Sequence, residues 1–325
     1  MTERSAGTGS APSDAPGADA RAEATRRAVA LTAAPPPLLV VTDFDGTLAP
    51  VTTDPLGAVI EAAGRAAIRR LAAIADARPD RLVVVVLSGR LATDVAARVR
   101  VGGVRYLGNH GLEGGSLARR ARAEGIAVKV EPALERYVRP AASLARSVVE
   151  RLGEPEWLFL ELKGPSVAFH FRQAPDAGAA RDRILAAIDA AEAELGGTGL
   201  VQFEGRKIVE LRPQGAGGKG EAVARLLDRH RPGAAIVLGD DVSDAEAFRT
   251  VAAARRRGEL EALTVGVHGA AETPAELTAA ADVLVAAPRD AGRVLLALAR
   301  ALERERRSGV GAGAGRSSAR RARSR

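Results

Sequence analysis

Apolar runs closed by small polar or acidic residues punctuate this chain. Leu38-Leu39-Val40-Val41 leads into Thr42-Asp43-Phe44-Asp45-Gly46-Thr47, and Leu82-Val83-Val84-Val85-Val86-Leu87 into Ser88-Gly89-Arg90. Tyr106-Leu107 opens onto Gly108-Asn109-His110-Gly111-Leu112-Glu113, and Ala235-Ile236-Val237-Leu238 onto Gly239-Asp240-Asp241-Val242-Ser243-Asp244. Continuous apolar runs of this length suit strands covered on both faces, as in a parallel sheet. Helical patterns lie between them, over about residues 61–77, 92–99 and 221–230. The alternation predicts an α/β fold with a Rossmann-like, doubly wound parallel-sheet core.

The pattern changes from about residue 114. A helical stretch over 131–152 precedes two runs that alternate apolar and polar residues, 157–163 and 166–172, about a Gly164-Pro165 turn. A second helical stretch (179–195) and a second hairpin-like pair (200–213) follow. Alternation marks antiparallel strands with one solvated face. The reading is an α+β insert, or cap, over 114–211, dividing a catalytic core made of 36–113 and 212–303. Residues 1–35, rich in Ala, Gly, Ser, Thr and Pro, read as disordered, as does a basic tail over 304–325.

Composition sharpens this only in places. The chain has 325 residues, 46% hydrophobic, and no cysteine, which removes disulfides and thiolate metal sites. The formal charge of +7 sits largely in the last 18 residues, with five arginines and no acid. A solvated tail accounts for it better than a specific nucleic-acid site, since no aromatic residues interleave. Arg26-Arg27 is followed by too short an apolar run for an export signal, and no run is long enough to span a bilayer. A cytoplasmic protein without an obligate protein partner is the expectation.

The acids at the strand ends carry the chemistry. Residues i and i+2 of an extended segment project alike, so Asp43 and Asp45 address one site. Two close carboxylates repel, and a hard cation such as Mg²⁺ relieves them. Asp43 is then placed to attack an electrophile and Asp45 to move protons. Ser88, at a strand end before a helix, fits either a phosphate contact or a plain helix cap. Lys219, at a glycine-rich helix start, can neutralise a phosphate oxygen, though the spacing is not that of a Walker loop. Asp240, Asp241 and Asp244 add further cation-binding capacity. His110 reads as a loop-rim residue, its role open.

In order and position, Asp43-x-Asp45, Ser88, Lys219 and Asp240-Asp241 resemble the four signatures of the haloacid dehalogenase superfamily, with an insert in the type-two cap position. Within it the chain is similar to the trehalose-6-phosphate phosphatase family. Asp43-Phe44-Asp45-Gly46-Thr47-Leu48-Ala49-Pro50, Leu87-Ser88-Gly89-Arg90, Gly108-Asn109-His110-Gly111-Leu112-Glu113, Glu161-x-Lys163, His170-Phe171-Arg172 and Glu210-Leu211-Arg212-Pro213 carry that likeness. The resemblance implies Mg²⁺-dependent hydrolysis of trehalose 6-phosphate through an aspartyl-phosphate on Asp43. Asp45 is then the acid and base, and Ser88 and Lys219 hold the phosphate. It implies Mg²⁺ ligation by Asp43, the Asp45 carbonyl and Asp240, with Asp241 and Asp244 behind them. It gives Asn109, His110, Glu161, Lys163, Arg172 and Glu210 to the sugar. From spacing alone, Glu161 and Lys163 read as a solvated strand face. The family usually has Thr-Asp-Glu where this chain has Ser243-Asp244-Ala245, which removes a carboxylate near the metal. A sucrose-phosphate or mannosyl-phosphate phosphatase and a non-catalytic sugar-phosphate sensor are the competing readings.

Overall fold

β1 (Leu38–Thr42) is buried along its whole length because its two faces meet two different apolar layers. Leu38 and Val40 enter one cluster, Leu39 and Val41 the other. The two-residue period of a strand does this, and it explains why the run shows no polar alternation. β1 pairs in parallel with β2 (Leu82–Leu87) on one side and β10 (Ala234–Gly239) on the other, Val40 lying opposite Val84 and Ile236. The computed structural model describes residues 17–52, 57–120, 125–205, 207–216, 218–269 and 273–321, with side chains described as far as residue 305.

The remaining sheet strands are β3 (Val104–Gly108), β4 (Glu113–Leu117), β5 (Lys129–Val130), β11 (Glu261–Val267) and β12 (Val283–Val285). Their order is β12-β11-β10-β1-β2-β3-β4-β5, parallel from β12 to β3. Helices α2 (Ala62–Ala77), α3 (Ala92–Val99) and α9 (Pro288–Arg321) belong to one face; α6 (Lys219–His230) and α7 (Val242–Arg256) pack on the other. The chain leaves β1 towards β2 and later returns at β10 on the opposite side. The switch in winding therefore falls between β1 and β10, where an open α/β sheet leaves a crevice at its carboxyl edge. A short helix, α8 (Ala275–Ala280), packs on α7.

The insert is a separate antiparallel sheet, β6-β7-β9-β8, of β6 (Phe159–Leu162), β7 (Val167–His170), β8 (Leu200–Gly205) and β9 (Ile208–Pro213). Val167, Phe169, Val209 and Leu211 face α4 (Val138–Leu152) and α5 (Ala177–Leu195) in a core of their own. The alternate residues Glu161, His170 and Glu210 share the other face.

Three boundaries differ from the sequence reading. β4 pairs antiparallel with β3, and β5 with β4, so these two strands extend the core sheet instead of opening the insert. At the N-terminus, α1 (Ala18–Ala30) is a docked helix and not a disordered segment. Ala24, Ala28 and Leu31, spaced i, i+4 and i+7, are buried in the core, and Arg21 pairs with Asp290 at 3.0 Å. Small residues on one helical face let α1 lie against α9. At the C-terminus α9 is helical to Arg321, and Glu305, which the reading assigned to the tail, pairs with Arg81 at 3.1 Å. Residues 1–16 and 322–325 lie outside the described residues. Among the described residues, no helix is long and apolar enough to cross a membrane.

Because Leu31 closes this contact, Leu31→Ala should cost about 2–3 kcal/mol of folding stability. Deleting residues 1–34 should cost more. Chemical denaturation reads both, and an unchanged midpoint would mean α1 is not part of the folded body.

Candidate active site

Asp43 follows β1 directly and its backbone N–H still donates to the Leu238 carbonyl of β10, at 3.0 Å. The chain then turns sharply: Leu48 and Ala49 both donate to the Phe44 carbonyl at 2.9 Å, and Phe44 and Leu48 are fully buried anchors. Gly46 is required at that turn. Its φ is +74°, and a Cβ there would lie 1.8 Å from Asp240 Oδ2. Thr47 Oγ1 donates to Asp240 Oδ1 at 3.1 Å. The turn after β1 thus cradles the acid that ends β10.

Lys219, the first residue of α6, is buried and reaches across the crevice. Its Nζ lies 2.7 Å from Asp43 Oδ1 and 2.8 Å from Asp244 Oδ1. Asp244 also accepts from the backbone N–H groups of Asp240 and Asp241, each at 3.2 Å, and Asp241 caps α7. Asp244 is therefore held without the carboxylate that Ala245 lacks.

Burial, aided by Asp244 and Asp45 and opposed by Lys219, lifts the Asp43 pKa to about 7. Burial, with Asp43 and Asp244 nearby, lifts Asp240 to about 9. Burial disfavours the charged form of Lys219, but Asp244 and Asp43 outweigh it and raise its pKa. One ammonium does not neutralise this many carboxylates.

Asp43, Asp240 and Asp244 each present an oxygen within 4.8 Å of the others. This all-oxygen donor set, in which burial and neighbouring carboxylates raise the pKa values of Asp43 and Asp240, fits a hard divalent cation. Asp45 is not in that group. Its carboxylate is gripped by Arg90, Nε at 2.6 Å and Nη2 at 2.7 Å. Arg90 is held in turn by Asp94 at 3.0 Å, and Asp94 by Arg98 at 2.9 Å. The pairings with Arg98 and Arg90 outweigh burial and hold the Asp94 carboxyl below its ordinary range. The sequence reading quoted Arg90 without a role; an arginine two residues past a strand-end serine was the available signal. Ser88, buried, accepts from the Arg90 N–H at 3.1 Å.

These groups face the insert across a cleft of about 520 Å³. Asp43, Asp45, Ser88, Lys219, Asp240 and Asp241 line its core side; Glu161, Lys163, His170 and Arg172 line the insert side, with His110 between. Glu161 accepts from or pairs with His170 at 3.0 Å and lies 3.5 Å from Lys163 Nζ. Burial opposes its charge, but these partners hold its pKa below the ordinary value. Burial, reinforced by Arg212, Lys219 and Lys163, pushes the His110 pKa well down, so its ring is neutral. Three residues named for direct contact or support sit behind the lining. Glu210 is buried, with Arg212 at 2.5 Å and Lys163 at 3.6 Å. Asp244 stands behind Lys219, and Asn109 is fully buried. A second cleft of about 550 Å³, by Leu227, Arg231 and Arg257, gathers no strand-end acids.

The family model for trehalose-phosphatase matches residues 41–281. Among curated relatives, the trehalose-phosphate phosphatase of Mycobacterium marinum is 35% identical over 216 residues, covering 64% of this chain and 50% of that protein. That of Mycobacterium tuberculosis is 33% identical over 217 residues with the same coverage. The chain thus spans about half the length of the curated relatives it matches. In fold, it is similar to the C-terminal domain of C. albicans trehalose-6-phosphate phosphatase (TM-score 0.60, 18% identity, 88% of this chain and 99% of that one). It is also similar to a trehalose-6-phosphate phosphatase related protein (TM-score 0.56, 20% identity, 81% and 97%).

A carboxyl whose pKa rises on folding takes up protons as the chain folds. Without a cation, the Asp43–Asp240 pair therefore favours the fold at low pH and loses that contribution as pH climbs through about 7 and 9. Saturating Mg²⁺, at about 100 times its Kd, should add about 2.7 kcal/mol, read as a rise in Tm. The rise should be larger at pH 8.5 than at pH 5.5. Asp240→Asn should abolish it while raising the cation-free Tm at pH 8.5. A Tm indifferent to Mg²⁺ at both pH values would exclude a cation at this cluster.

Proposed function

Since the chain belongs to the trehalose-phosphatase family, we propose that it hydrolyses trehalose 6-phosphate to trehalose and inorganic phosphate. One observation carries the reading. A single cleft joins Asp43, Asp45 and Lys219 on the core to Glu161, Lys163 and Arg172 on the insert, so phosphate and sugar groups can be addressed together.

Asp43 Oδ attacks phosphorus in line, and the bond from phosphorus to the sugar oxygen breaks. Asp45 gives a proton to that oxygen as it leaves as an alcohol. In the second half, Asp45 takes a proton from a water that attacks the aspartyl-phosphate, which restores Asp43 and frees phosphate. The two arginine hydrogen bonds keep Asp45 at the cleft rim, 37% exposed, where leaving oxygen and water can both reach it. Ser88 and Lys219 hold the non-bridging oxygens, Lys219 as a point charge already in place. Asp43 and Asp240, with the Asp45 carbonyl, would hold Mg²⁺, which supplies charge neutralisation for the phosphoryl group. On the insert, Glu161 and Arg172 offer charged partners to sugar hydroxyls, and Lys163 a cation between two acids.

Asp43→Asn should abolish turnover and leave the fold intact, and Asp45→Asn should lower the rate by about 10²–10⁴-fold. Glu161→Ala should lower kcat/KM for trehalose 6-phosphate by about ten- to a hundredfold and hardly touch p-nitrophenyl phosphate. A panel of sugar phosphates assayed for phosphate release tests the substrate. Faster hydrolysis of sucrose 6-phosphate or a mannosyl phosphate would overturn it, while leaving the phosphatase chemistry standing.

A further inference from the structure

Asn109 is fully buried, and its side chain is committed to the insert. Its amide nitrogen donates to the Lys163 carbonyl at 2.9 Å and to Ser166 Oγ at 2.7 Å. Both acceptors lie in the β6–β7 turn, which is closed on itself by Lys163 N–H donating to the Ser166 carbonyl at 2.9 Å. On the core side, the Asn109 N–H donates to the Arg90 carbonyl at 2.7 Å, and the next N–H donates to the Ser88 carbonyl at 2.9 Å. One short loop is thus bonded both to the segment holding Ser88 and Arg90 and to the turn holding Lys163.

The loop has little freedom to shift. Asn109, His110 and Gly111 have φ of +50°, +56° and +90°, three consecutive left-handed residues. Asparagine is among the few side chains that accept this conformation. The glycines on either side are packed tightly: a Cβ at Gly108 would lie 2.1 Å from the Ala92 nitrogen of α3, and one at Gly111 2.4 Å from Ala222 Cβ of α6. The loop is wedged between the helix after Ser88 and the helix that begins with Lys219.

We infer that Asn109 is a positioning residue: its two side-chain hydrogen bonds set the register between the phosphate-holding loop and the insert's Lys163, so that both ends of a sugar phosphate are met at once. This rests on the sugar-phosphate reading above. Lys163 is the group through which it acts. The lysine is buried, lines the cleft, and lies 3.5 Å from Glu161 and 3.6 Å from Glu210. Loss of the amide lets the turn shift relative to Ser88, and Lys163 shifts with it. A small ester that engages only the phosphate end does not depend on that register.

Asn109→Gly removes the amide while keeping a residue at ease with a left-handed backbone. Ser166→Ala removes one acceptor. Both variants and their combination are assayed with Mg²⁺, well below their melting temperatures. The substrates are p-nitrophenyl phosphate and whichever sugar phosphate the unmutated protein hydrolyses best. Asn109→Gly should lower kcat/KM for the sugar phosphate by about tenfold, mainly through KM, and by far less for the aryl ester. Ser166→Ala should cost less, and adding it to Asn109→Gly should cost nothing more, because the two share one interaction. Equal losses on both substrates, or additive losses in the double variant, would overturn the inference and leave Asn109 as packing for the loop. A best substrate other than trehalose 6-phosphate would count against the proposed function alone.

Discussion

A buried ammonium between buried carboxylates is the constraint on which this molecule is built. Lys219 bridges Asp43 at the end of β1 and Asp244 in the first turn of α7, and so ties together the two sides of the switch in strand winding. Without that cation the crevice would hold acids that desolvation makes costly to ionise. With it, Asp43 and Asp240 still sit far above ordinary carboxylate pKa values. The site is therefore left short of positive charge, and the sheet order, the glycine at position 46 and the capping of α7 hold its acids together.

The parallel core was legible because a doubly covered strand has a distinctive sequence. β1, β2 and β10 are uninterrupted apolar runs, and the acids that end them stand out against that background. Alternation identified β6 through β9 for the same reason in reverse. The readings that needed correction concern residues whose partners are remote in sequence. Ala24 and Ala28 have no apolar character to spare, and only the arrival of α9 makes them core. β4, with Gly114 and Gly115, has little strand signal of its own and joins the sheet through β3.

The site divides in the same way. Asp43, Ser88, Lys219 and Asp240 were placed by where strands end and helices begin, which local pattern reveals. The pairing of Asp45 with Arg90, and the burial of Asn109 and Glu210 behind the cleft wall, depend on the packing of one element on another. A residue type can say that a group is polar. It does not say whether the group faces ligand or holds up the residue that does.

The placement of the insert has a consequence for how the chain is made. β1 is central, yet one of its two hydrogen-bonding neighbours, β10, comes after the whole of the insert. During synthesis the strand bearing Asp43 is flanked by β2 early, while its other edge stays unpaired until Ala234–Gly239 has left the ribosome. The insert, whose strands and helices are contiguous in sequence, can close on its own core in the meantime. The accessory sheet can therefore close before the central one is complete, and Asp43 waits through the whole of the insert for Lys219 to be made.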